Sequence, residues 1–299
     1  MREQAALLAL VGHTDQEWYK TATLVEEAGS ALRVLRGDPV GLDIVDAARA
    51  ADLADRVSSG EVDRYEQQIR EWTTDGVRLV TVLDEEYPIN LREIYNRPPF
   101  LFLRGELLPQ DNRAIAVVGT RGPSPDGLAQ ARQLAGDLAS RGVTVLSGLA
   151  LGIDAVAHEA ALDAGGRTVA VFGTGINQIY PEVNRELAAR VLRHGAHVSQ
   201  FWPGAPPTRF SFPMRNVVTS GMALGTVVVE AHGKSGARMQ ARLCLEHGKR
   251  LFLVRSLVMH EDWAQHYADR PGATVVESVD DVVAIVDELL HPPVQLSLC

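Results

Sequence analysis

Residues 145–162, VLSGLALGIDAVAHEAAL, decide how the rest of the chain is read. The segment opens as the end of an apolar β-run, residues 144–146, and breaks at Ser147-Gly148. It resumes as a helix through Gly152-Ile153-Asp154, with Ala155, His158, Ala161 and Leu162 at helical spacing. A buried strand that feeds a glycine turn and then a helix is the phosphate-cradling unit of α/β folds. Gly148 and Gly152 can adopt positive φ and place no Cβ in a ligand's way. The helix start offers unpaired N–H groups and partial positive charge. The expectation is a Rossmann-like domain with an anion site here.

Outward from this stretch the alternation is regular. Strands are expected at residues 115–118, 144–146, 168–172, 197–201, 226–229, 251–254 and 275–276, with helices at 126–141, 181–194, 214–223, 237–247 and 279–290. Such alternation implies a doubly wound, mostly parallel sheet. Residues 77–83 and 100–104 read as two further strands that extend it, punctuated by Tyr87-Pro88 and Pro98-Pro99. Upstream, apolar residues at 5–11, 21–35 (interrupted by Gly29), 45–57 and 62–72 recur at helical period with few β-branched runs. The expected organisation is a small helical domain over 1–72, an α/β domain over 73–291 and a tail over 292–299.

The chain has 299 residues, a net charge of −9 and 46% hydrophobic residues, which suits a globular protein with a sizeable core. Its acidity argues against bulk electrostatic duplex binding but allows a local basic groove. The two cysteines, Cys244 and Cys299, cannot form a disulfide framework. No run is long enough to span a membrane, and the first residues are too polar beyond Val11 for a secretion signal. A cytoplasmic location is expected.

In a doubly wound sheet, ligands bind at the carboxyl ends of the strands. Four glycine-bearing loops fall there: Gly119 to Gly122, Gly148 to Gly152, Gly173 to Gly175, and Gly233 to Gly236. One such loop can serve a tight turn alone; four at one edge suggest an anion pocket. Arg121, Arg215 and Lys234 are the cations expected there, each with the plain alternative of a solvated surface charge. Arg215 stands in Phe212-Pro213-Met214-Arg215-Asn216, and a guanidinium suits bidentate phosphate recognition. Phe201, Trp202, Phe210 and Phe212 flank it, either as platforms for stacked bases or as anchors to the core.

Asp154 and His158 share a helix face, as a possible acid–base pair or as a structural pairing or cap. Glu230 ends a strand without a neighbouring carboxylate. The histidines lack zinc-ligand spacing, so no metal is expected. The P-loop pattern and the dinucleotide-binding glycine pattern in the first βα turn are both absent, which argues against P-loop ATP hydrolysis and hydride transfer.

Taken together, Ser147-Gly148-Leu149-Ala150-Leu151-Gly152-Ile153-Asp154 with Ala157-His158, Tyr180-Pro181-Glu182-Val183-Asn184, Phe212 to Asn216, Val229-Glu230-Ala231 and Lys234-Ser235-Gly236 resemble the DprA/Smf family of DNA-processing proteins. Val118-Gly119-Thr120-Arg121 is similar to that family's first turn, and Tyr87-Pro88, Leu91, Pro98-Pro99 and Arg104-Gly105 also follow its pattern. The resemblance covers residues 87–254; the N-terminal helices are similar to the family's sterile-alpha-motif-like domain. It implies a single-stranded-DNA-binding protein that is not an enzyme, uses no cofactor, protects incoming strands in natural transformation, loads RecA onto them and forms a homodimer. It also implies that Gly119, Thr120, Arg121, Ser147, Gly148, Gly152, Gly173, Gly175, Arg215, Asn216, Lys234, Ser235 and Gly236 build the DNA site. Departures from the family pattern are Val217, Arg238, Gln240, Gln200 and residues 255–270, the last expected to rewrite one pocket wall. These departures leave a second expectation, a nucleotide sensor or a LOG-like phosphoribohydrolase. There Arg215 would hold phosphate and Glu230 would assist glycosidic cleavage.

Overall fold

A computed structural model describes residues 1–14, 17–38, 41–58 and 60–291. The expected tail, with Cys299, lies outside the described residues. Among these residues nine strands form one sheet: β1 (Arg78–Thr81), β2 (Phe100–Gly105), β3 (Ala114–Val118), β4 (Thr144–Ser147), β5 (Thr168–Val171), β6 (Ala196–Ser199), β7 (Gly225–Val228), β8 (Arg250–Val254) and β9 (Ala273–Val276). The spatial order is β1-β2-β6-β5-β4-β3-β7-β8-β9. The run from β6 to β9 is parallel, while β2 pairs antiparallel with both β1 and β6. The strand order reverses between β3 and β7, so a crevice opens at their carboxyl ends.

The helices are α1 (Arg2–Gly12), α2 (Trp18–Ala28), α3 (Ala31–Leu35), α4 (Ile44–Arg56), α5 (Glu61–Thr74), α6 (Ile89–Arg92), α7 (Pro125–Ser140), α8 (Ile153–Asp163), α9 (Arg185–His194), α10 (Ser211–Met222), α11 (Gly236–Glu246), α12 (Arg255–His260), α13 (Asp262–Ala268) and α14 (Val279–Leu290). None is long and apolar enough to cross a membrane among the described residues. Every residue of β3 is buried, because helices cover both sheet faces; hence its unbroken AIAVV. Ser124 starts α7: its hydroxyl accepts the Gly127 amide proton, and Pro125 occupies the first turn, where its missing N–H costs nothing.

The N-terminal helices share their core with the sheet. Leu7, Leu8, Leu10, Val34 and Ile69 form one apolar cluster with Phe100 and Phe102 of β2 and with Phe172 after β5. Trp72 meets Phe102 edge-on at 5.0 Å, and Trp18 lies 5.7 Å from Phe100. Leu101 and Leu103, alternating with these phenylalanines, pack into a different cluster on the opposite face. The element type changes near residue 72, yet the buried layer runs on through it.

Candidate functional site

A cleft of about 430 Å³ lies at the β3–β7 switch. Its floor is Arg215 of α10, only 8% exposed. The guanidinium lies on the backbone of Gly148, where an added Cβ would fall 1.0 Å from Nη1. Gly148 is therefore needed for close approach. Positive φ falls instead on Leu149 (56°) and Gly152 (77°). Arg215 Nη1 is 3.8 Å from Oδ2 of Asp154 and donates to the Val171 carbonyl at 3.4 Å, while Nε has no partner. Asp154 Oδ2 also accepts the Gly148 amide proton at 3.1 Å. Burial pushes the Asp154 carboxyl above its ordinary range, against the pull of Arg215. The floor is thus a desolvated cation held by one counter-ion with a donor to spare.

His158 does not complete an acid–base pair with Asp154. It lies one turn deeper, fully buried, with Nδ1 2.7 Å from the Thr168 hydroxyl. That hydroxyl donates to the Val145 carbonyl, so Nδ1 carries the proton and Nε2 remains unpartnered. Burial pushes the ring's pKa down to about 3.

Exposed charge and aromatic faces lie at and beside the rim. Arg121 is exposed, with Cζ 5.6 Å from the Phe212 ring centre; Phe212 in turn lies 5.7 Å from Tyr180. Arg209, which sequence reasoning missed, sits 4.6 Å over Phe210, itself 66% exposed. The alternation Arg209-Phe210-Ser211-Phe212 was the available signal. α11 starts at the cleft: Ser235 accepts the Arg238 amide proton at 3.3 Å, and Ser235, Gly236 and Asn216 line the opening. The helix start adds partial positive charge. Lys234, one residue earlier, is exposed and lies outside the lining.

The remaining residues shape the cleft from beneath or bound it. Ser147 is buried and donates to the Val117 carbonyl at 2.7 Å. Gly173 backs the Phe212 ring, which an added Cβ would meet at 2.6 Å, and Gly175 packs on the Trp202 carbonyl. Gly119 abuts Ile153, and Gly152 abuts the Thr120 carbonyl. Thr120 donates its N–H to the Glu230 carbonyl at 2.7 Å and accepts from the Ile153 amide at 3.2 Å. Its backbone is therefore engaged within the protein. Trp202 packs against Tyr65 and Phe100 at 5.8 and 5.5 Å, and Phe201 is buried; these two aromatics anchor the loop, whereas Phe212 lines the cleft and Phe210 is exposed just before it.

The family model for DNA recombination-mediator protein A matches residues 78–287. The chain belongs to that family. Protein Smf of Escherichia coli is 38% identical over 215 residues, 71% of this chain but 58% of its own length. The crystallographic DNA processing protein A of Streptococcus pneumoniae superposes with a TM-score of 0.68 at 30% identity, over 89% of this chain and 97% of that one. DNA processing protein A of Helicobacter pylori, studied for its single-stranded DNA binding mode, superposes with a TM-score of 0.62 at 25% identity, over 72% and 95%.

Two expectations drawn from departures within this recombination-mediator family need correction. Residues 255–270 form α12 and α13, and none lines the cleft. Arg255 pairs with Glu277, and Trp263 is buried, donating Nε1–H to the Ala231 carbonyl at 3.1 Å. The second concerns Arg215 and Glu230, which do not line a common cleft. The Glu230 carboxylate turns to Ser124 and opens on a different cleft, of about 350 Å³. Among the other departures, Gln240 does line the Arg215 cleft, whereas Arg238 donates to the Gly233 carbonyl on the surface. Among the described residues, no three His, Cys, Asp or Glu side chains converge as metal ligands.

Proposed function

We propose that the Arg215 cleft binds single-stranded DNA, with a phosphate over Arg215 and the start of α11 and with unpaired bases against Phe212 and Phe210. The observation that carries this reading is the buried Arg215 guanidinium, which lines a cleft shared with exposed Arg121 and with Phe212, while Arg209 and Phe210 precede Phe212 on the surface. Unpaired bases can stack on exposed aromatic side chains, which bases already stacked in a duplex cannot do. The single-stranded DNA binding mode of the H. pylori relative supports the same reading. The chain would act without catalysis, as a cytoplasmic homodimer that hands its strand to a RecA-like recombinase.

Anisotropy of labelled oligo-dT and of a matched duplex across a salt series tests this. Tighter binding to the single strand, weakening as salt rises, is expected. Absence of oligo-dT binding at low salt overturns the reading. Sedimentation tests the dimer, and RecA filament formation on protein-coated strands tests the hand-over.

A further inference from the structure

The loop 119–124 carries Arg121, and one residue grips it at both ends, joined at Thr120 by the Ile153 amide. Glu230, just past β7, accepts the Thr120 amide proton on its carbonyl at 2.7 Å. Its carboxylate oxygens lie 3.1 Å from the Ser124 amide, and Oε2 accepts the Ser124 hydroxyl proton at 2.7 Å. That hydroxyl caps α7 by accepting from Gly127. Gly127 leaves the room: a Cβ there would lie 1.9 Å from Oε2. A carboxylate therefore occupies the start of a long helix at the carboxyl edge of β3. That is the position where nucleotide-binding α/β folds seat a phosphate.

We propose that Glu230 is a positioning residue. Its carboxylate is a resident anion that fills the α7 cradle, fixes loop 119–124, and so sets Arg121 at the rim of the DNA cleft. The last step rests on the DNA reading above; the anchoring does not. The assignment also accounts for a strand-end carboxylate whose side-chain hydrogen bonds go to Ser124.

Chemical rescue tests the proposal. Glu230→Ala empties the cradle, and small anions can refill it. In the full chain this variant is expected to bind oligo-dT about tenfold more weakly than the parent. Sodium formate, compared with sodium chloride at equal ionic strength, is expected to restore much of that affinity and to raise the variant's melting temperature, leaving the parent unmoved. Glu230→Gln keeps the shape and one acceptor; it is expected to fall between parent and alanine variant and to ignore formate. A stabilising effect of formate no larger than that of chloride on Glu230→Ala overturns the anchoring. Parent-like oligo-dT affinity in Glu230→Ala overturns the positioning of Arg121. If the parent itself fails to bind oligo-dT, the DNA reading falls, and the melting series alone still decides the anchoring.

Discussion

Arg215 and Arg121 carry the same charge and are expected to fail in opposite ways. Replacing Arg215 with leucine strands the buried Asp154 carboxylate, so unfolding stability is expected to drop by about 3–5 kcal/mol. The double variant with Asp154→Leu is expected to recover part of the loss, read by urea denaturation. Arg121 is exposed; Arg121→Ala is expected to leave stability within about 0.5 kcal/mol and to shrink the salt slope of oligo-dT binding by about 0.7. Gly148→Ala drives a methyl group onto the guanidinium and is expected to abolish tight binding, as anisotropy would report. The cations were legible in the sequence as residue types at strand ends. Their division into floor and rim was not, since burial of Arg215 depends on Gly148 and Asp154 arriving from another βα unit. Helical spacing coupled Asp154 to His158; the tertiary fold coupled it to Arg215.

At the level of elements, three histidines, two buried and one half-buried, set an acid limit. His158 on α8, His197 on β6 and His247 after α11 are pushed by burial to pKa values of about 3, 4 and 4. Each folded value lies below the unfolded value of about 6.5, so protons favour the unfolded chain. The stability they protect is complete above about pH 6.5 and is lost as pH falls toward the folded values. Urea midpoints are therefore expected to decline between about pH 7 and pH 5, and the decline is expected to be shallower in His197→Phe. The strands themselves were legible because runs such as AIAVV, buried on both faces, leave little ambiguity. α12 and α13 were not: their sequence mixes His, Asp and Trp without a clean apolar stripe, and only Leu257, Trp263 and Ala264 are buried.

For the whole molecule, the family match begins at residue 78, which invites a truncation that drops the helices before it. The shared core argues against that cut. Removing residues 1–76 uncovers Phe100, Phe102, Phe172 and Trp202, and the truncated chain is expected to bind hydrophobic dye and aggregate on size exclusion. Periodicity locates such helices but says nothing of the surface they cover. The buried guanidinium also bears on how a bound strand would leave. It has already shed its water and is braced on backbone, so little in the floor must rearrange when a phosphate arrives. Departure then gains nothing from a relaxing host. On the DNA reading, release would then be set by the phosphate's own contacts and not by a change of shape in the floor.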